Sequence, residues 1–246
     1  MRRSRTCLAL ASAAILALLL SGCVYLRLLE LKHQIAAFDR NFFVQTDDGV
    51  RIVCRNPVLL AKDVRWLGVA PEKVRKSGAA EQWQVRWVKQ LPPGGHENGE
   101  FDIIIDMLFA QEKLTRLSIP ERYFAVMPKS LLLDLLHSLG SARVDRSSRS
   151  VEAQLASARP DLPGIQKLLG RPSSRASKGN ETVFRYRYVP ATSSGFARTA
   201  AFDMAVYFDD STGQMTRWEG QTPVGRVGFS FEPTKTAAEP APNPRE

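Results

Sequence analysis

Histidine is scarce in this chain: 246 residues hold three, His33, His96 and His137. None stands four residues from another, so no helical face presents an imidazole pair to a metal. His96-Glu97 with Glu100 comes nearest to a ligand set. It sits in the Pro-Pro-Gly-Gly loop from Leu91 to Glu100, where solvated polar side chains are the ordinary reading. Gly-x-Ser-x-Gly, the Walker loop and Gly-x-Gly-x-x-Gly are missing, which removes the usual signatures of acyl transfer, nucleotide hydrolysis and dinucleotide chemistry. The carboxylate pairs Asp47-Asp48 and Asp209-Asp210 stand close to glycine at turn positions, where short acidic side chains bind local backbone amides. The sequence thus predicts no enzyme, no metal and no cofactor.

Long apolar runs are also few, and the one that matters lies at the start. Arg2, Arg3 and Arg5 precede an almost unbroken apolar stretch from Cys7 to Leu20, long enough for a signal sequence and short for a membrane span. It ends in Leu20-Ser21-Gly22-Cys23, which resembles the lipobox of bacterial lipoproteins. The resemblance implies cleavage after Gly22 and a lipid on Cys23. It also implies an envelope location, and Val24 in place of Asp points to the periplasmic face of an outer membrane. The alternative is an uncleaved anchor from Cys7 to Leu26, and both keep the arginines in the cytoplasm and the body outside it.

Without its three leading arginines the chain keeps 31 basic residues against 25 acidic ones, a balance of +6. In an envelope compartment such a charge suits anionic headgroups or acidic proteins, and nucleic acid is not an expected partner. With Cys7 removed and Cys23 acylated, Cys54 is left without a disulfide partner. It alternates with Val50 and Ile52, so a buried, inert thiol is expected.

Val24, Leu28, Leu31, Ile35 and Phe38 recur at helical spacing, predicting an amphipathic helix directly after the lipid. Arg27, Lys32 and Arg40 would then lie near the headgroups. A hairpin is predicted around Asp47-Asp48-Gly49, and a helix from Pro57 to Leu67 ending at Gly68. Strands follow at Gln82–Val88, Phe101–Phe109, Leu114–Ile119 and Glu121–Val126. Helices are expected at Ser130–Leu139, stopping at Gly140, and at Ser148–Ala158.

The chain then repeats itself. At a shift of 101 residues, Gln82-Trp83-Gln84-Val85-Arg86-Trp87-Val88 meets Val183-Phe184-Arg185-Tyr186-Arg187-Tyr188-Val189, and Phe101-Asp102 meets Phe202-Asp203. Leu114 to Leu117 meets Met215 to Trp218 at the same shift. These collinear matches suggest duplication. The organisation expected is a signal at 1–22, a membrane-proximal helix at 23–40, α+β repeats at 41–127 and 128–232, and an unpacked Pro-rich tail at 233–246.

Ile165 to Pro172, the aromatic strand Phe184 to Tyr188, Val206 to Asp210 and Thr212 to Met215 resemble the BLIP/BamE-like folds. These are the β-lactamase inhibitory protein and the SmpA-type lipoprotein of outer-membrane β-barrel assembly. The resemblance implies an α+β fold of two tandem units, each with helices packed on an antiparallel β-meander.

Because side chains alternate across a sheet, Trp83, Val85, Trp87, Phe184, Tyr186 and Tyr188 pointing inward would leave Arg86, Arg185 and Arg187 outward. Three guanidinium forks on an open face would suit carboxylates or phosphates. These arginines are the candidate partner-binding residues, with Cys23 as the lipid-attachment site. The loops 91–100 and 190–201 form a second candidate contact region. The function expected is binding of another envelope protein, in assembly or scaffolding. Inhibition of an envelope hydrolase and carriage of an anionic lipid or glycan are the alternatives.

Overall fold

A computed structural model describes residues 24–231, apart from 48, 92–94, 97–98, 126–128, 146, 148, 156–158, 197–200 and 223–224. The signal, Cys23 and the Pro-rich tail lie outside the described residues. Five α-helices occur among them: α1 (Val24–Ala36), α2 (Phe38–Asn41), α3 (Ala61–Trp66), α4 (Lys129–Ser141) and α5 (Leu162–Leu169). The strands of the first half are β1 (Phe42–Gln45), β2 (Val50–Cys54), β3 (Lys73–Ser77), β4 (Ala80–Leu91), β5 (Gly95–His96), β6 (Ile103–Ala110) and β7 (Lys113–Ile119). Those of the second are β8 (Arg143–Asp145), β9 (Ser150–Leu155), β10 (Ser174–Lys178), β11 (Glu181–Thr192), β12 (Gly195–Phe196), β13 (Phe202–Asp209), β14 (Met215–Thr222) and β15 (Gly225–Phe231).

All fifteen strands join one hydrogen-bonded sheet, whose main path runs β1-β2-β7-β6-β4-β11-β13-β14-β15-β9-β8. This overturns the expectation of two tandem units of helices on small meanders. The fold is a single large, sheet-dominated body, mixed because β15 pairs with β9 in parallel, with the short helices as a minor component. The physical reason lies in β4 and β11, each twelve residues long. Their first halves pair with the short strands β3 and β10. Their second halves would be bare edges, and each satisfies its backbone groups on the other. Arg86 to Gln90 pair antiparallel with Arg187 to Ala191.

That junction has internal symmetry. Val88 pairs with Val189, the residue 101 positions on, and the pairs on either side exchange under the same shift. A pseudo-two-fold axis therefore passes through Val88 and Val189 and relates β7-β6-β4 to β14-β13-β11. The shift also carries the bridge Leu60–Lys113 onto Asp161–Gln214. In order along the chain, α4-β8-β9-α5 repeats α1-β1-β2-α3, with the four-residue α2 extra in the first half, and α1 packs against α4. One difference breaks the symmetry: β2 pairs directly with β7, whereas β15 inserts between β14 and β9.

Most of the core lies on one face of the sheet; on the other, Val183, Ala205 and Tyr207 form a small buried cluster. Leu59, Ala61 and Val64 from the α3 region cover Trp83, Val85, Met107 and Phe109. Ile165 and Leu169 of α5, with Leu131 of α4, cover Phe184, Tyr186, Tyr188, Val206 and Phe208. Leu132 of α4 joins Phe38, Phe42, Val50 and Ile52 in a third cluster. Asp161 caps α5 by accepting a hydrogen bond from the Gly164 amide at 2.9 Å.

Four local expectations change. The helix predicted from Pro57 to Leu67 begins only at Ala61, after Leu60 at its N-cap, and ends at Trp66. Ser148–Ala158 contains strand β9 instead of a helix: Ala153 and Leu155 are buried while Glu152 and Gln154 are exposed, a period of two that pairing with β15 selects over the helical propensity of Glu, Ala and Gln. Glu121–Ala125 is a 3₁₀ helix in place of a strand; its Tyr123 hydroxyl accepts from the Ile104 amide at 2.7 Å and donates to the Asp102 carbonyl at 3.0 Å. Helix α4 continues through Gly140 to Ser141.

Helix α1 is part of this body. Its stripe of Leu28, Leu31 and Ile35 packs into the core clusters. Arg27 donates to Asp63 through Nε and Nη2, each at 2.6 Å. Asp63, only 2% exposed, also accepts from the Leu60 amide at 2.9 Å. Arg27 is thus committed to the protein and is not available to headgroups as its helical position suggested.

Candidate functional site

The face of the sheet opposite the core is the site the alternation predicts. On β11 the side chains of Arg185 and Arg187 are exposed, whereas Phe184, Tyr186 and Tyr188 are buried beneath them. Register sets the rows. One runs Arg185, Ala205, Glu219, Gly228; the next runs Arg187, Asp203, Gln221, Arg226. Ala205 carries only a methyl group, so the first row is low between Arg185 and Glu219. A groove of about 870 Å³ lies over these rows, bounded at one end by Gln90 and Ser174. Three arginines and two carboxylates, Asp203 and Glu219, contact it.

Structure separates the three predicted arginines by state as well as by place. Arg187 pairs with Asp203 at 3.2 Å, both about half exposed. The side chain of Arg185 makes no hydrogen bond or ion pair among the described residues. Arg86 shares their face, but its register partner is Ala191, four residues along β11 from Arg187, roughly 13 Å at the rise of a strand. It is held by Asp102 at 2.6 Å and Glu72 at 3.3 Å. Asp102 is buried and also accepts from the Lys89 amide at 3.1 Å. Arg86 therefore belongs to the architecture of the first half and is withdrawn from the binding set.

The two ion pairs are copies of one another. Arg86–Asp102 and Arg187–Asp203 coincide under the 101-residue shift, one enclosed and the other open to solvent. The matched residues were visible in the sequence; their contact was not, because the partners lie sixteen residues apart in each half.

Next to the groove, the Tyr207 hydroxyl donates to Glu219 at 3.1 Å, and the Arg217 guanidinium lies 3.8 Å from the ring centre. Burial first, and then the charge and hydrogen bond of Glu219, push the Tyr207 phenol above its ordinary range. It stays neutral and serves as a donor. In the first half a smaller hollow of about 330 Å³ lies against Arg51, Asp106 and Arg116. Sequence reasoning also missed Lys89, whose parity places it on the core side. It is fully buried, with Nζ 4.8 Å from the Phe101 ring centre and 5.8 Å from that of Tyr186, a cation–π arrangement.

No cluster of three His, Cys, Asp or Glu side chains at metal-binding distance occurs among the described residues. His33 is on α1 and His137 on α4, where it lies 3.4 Å from Asp39. Cys54 is half-buried, and burial pushes its thiol up to about 11. The thiolate is the reactive form, so this shift cuts the reactive fraction at neutral pH by roughly a hundredfold. Native protein treated with Ellman's reagent is expected to react at Cys54 about two orders of magnitude more slowly than the same protein in urea. Comparable rates in the two states would overturn that reading.

No protein-family model, curated protein or solved structure matches this chain. Its function has to be argued from its own surface. Among the described residues, no helix is long and apolar enough to cross a membrane.

Proposed function

We propose that this chain is a non-catalytic lipoprotein of the cell envelope, acylated at Cys23, that binds another envelope protein through the open sheet face around Arg185 and Arg187. The observation that carries this reading is an exposed Arg185, without a side-chain partner among the described residues, in a groove of about 870 Å³ beside a solvent-exposed Arg187–Asp203 pair. Unpaired guanidinium groups offer planar forks to carboxylates, and exposed pairs exchange partners at small cost. The small side chain of Ala205 leaves room for an incoming chain to approach the strands. The mixture of both signs favours a polar protein segment over a purely anionic ligand. The resemblance of Leu20-Ser21-Gly22-Cys23 to a lipobox supports an address at the periplasmic face of the outer membrane, suited to assembly or scaffolding.

The test is recovery of a stoichiometric partner from detergent-solubilised envelopes by the wild-type chain and by the double variant Arg185→Glu, Arg187→Glu. Recovery should fall at least tenfold, about 1.4 kcal/mol in binding. Both positions are exposed, so near-ultraviolet circular dichroism should not change. Undiminished recovery by the folded variant would remove the sheet face from the reading.

A further inference from the structure

Helix α1 has a second apolar face that the core does not use. Its inward stripe is Leu28, Leu31 and Ile35. On the outside of its first two turns Tyr25 is 66% exposed, Leu26 43% and Leu29 44%. The Tyr25 ring meets Trp66, at the end of α3 and itself 46% exposed, edge-on with centroids 5.3 Å apart. Four large apolar side chains thus form one exposed patch from two elements. Glu30 is exposed beside these residues, and further along the outer face is polar at Lys32 and His33. The apolar part is confined to the end nearest Cys23, which is bonded directly to Val24.

From this placement we infer that Tyr25, Leu26, Leu29 and Trp66 are an interfacial membrane contact, seated in the headgroup region of the bilayer that holds the lipid on Cys23. The inference rests on the acylation proposed above. Three features on the page select a lipid surface as the occupant. The patch lies within two helical turns of the attachment residue, so anchoring brings it to the bilayer whatever the body does. Tyrosine and tryptophan are the side chains that favour the membrane–water boundary, with an apolar ring and a polar tip. Lys62, exposed about one turn before Trp66 on α3, and the half-buried Lys32, about one turn beyond Leu29, place two cations at a rim that also carries the exposed Glu30, where headgroups lie. Arg27 needs no headgroup because Asp63 neutralises it. A patch fixed to a rigid body also sets that body's tilt, so the anchor and the patch together orient the sheet relative to the membrane.

The test uses the full chain purified from its membrane and reconstituted into vesicles of phosphatidylcholine and phosphatidylglycerol, with part of the phosphatidylcholine brominated on the upper acyl chain. Of the four tryptophans, Trp83 is fully buried and Trp87 and Trp218 pack against the second-half core. Bromine quenching should therefore come from Trp66. Wild type should be quenched, Trp66→Phe should lose most of that quenching, and the double variant Tyr25→Ser, Leu29→Ser should reduce it with Trp66 still present. Mass spectrometry of the same sample reports the state of Cys23 independently. An acylated chain whose quenching does not depend on Trp66 overturns the patch and leaves the anchor standing. An unacylated chain that is still quenched through Trp66 upholds the patch and overturns the anchor.

Discussion

Arg27→Met is expected to destabilise the folded chain by about 3 kcal/mol at neutral pH, because it strands a buried carboxylate. Asp63 is 2% exposed and meets both Nε and Nη2 of Arg27 at 2.6 Å. Methionine keeps most of the packing of the arginine stem, so the loss isolates the charge. In the wild type the Arg27 hydrogen bond, more than any other cause, holds the Asp63 carboxyl below the usual carboxylate range against the opposing effect of burial. A folded-state pKa below the unfolded one means that the unfolded chain binds more protons between the two values. The pair's stabilisation is therefore complete above the unfolded value near pH 4 and is lost as pH falls through the lower folded value. Urea denaturation of both proteins should show a wide separation of midpoints at pH 7 that narrows below pH 4. A separation independent of pH would show that the cost of the substitution is steric. Asp63→Asn should be milder, since its amide oxygen still accepts from Leu60 and the partly exposed Arg27 can turn to water.

The sequence made one level of this fold legible and hid the next. Alternation on Gln82–Val88 and Val183–Val189 identified two strands, their inward aromatic residues and their outward arginines. Those assignments depend only on the local period of two. The 101-residue shift matched Arg86 with Arg187 and Asp102 with Asp203 before any contact was known. What the sequence could not express was the edge. Val88 and Val189 read as the ends of two strands in separate units, yet they pair with one another. Nothing local to Val88 says which strand will satisfy its neighbours' amides. The charges were obscured for a similar reason. Arg86 and Arg185 look alike as outward residues, but only the burial of Asp102 turns one of them into a structural group. Lys89 shows the opposite failure, since its type suggests solvent while its register places it over Phe101 and Tyr186.

Cutting the chain between residues 127 and 128 is expected to leave two fragments that do not fold alone and that recover structure when mixed. Each would look self-sufficient if the repeats were independent bodies, but three sets of contacts cross the cut. The antiparallel pairing of Arg86–Gln90 with Arg187–Ala191 leaves a bare edge on each fragment. Helix α1 loses α4, its packing partner across the pseudo-two-fold axis. Leu132 is withdrawn from Phe38, Phe42, Val50 and Ile52, which opens that cluster to water. Each large apolar side chain so exposed costs about 1.5–3 kcal/mol, and three or four of them consume the whole of a stability of about 5–15 kcal/mol. Either fragment alone should show no near-ultraviolet circular dichroism and no cooperative thermal transition, and should aggregate through its free β4 or β11 edge. An equimolar mixture refolded from urea should regain the near-ultraviolet spectrum and a single transition, with a midpoint that rises with concentration because the two pieces must associate. A cooperative transition in either fragment alone would mean that its half carries a sufficient core and that the junction at Val88 and Val189 is a contact between finished domains.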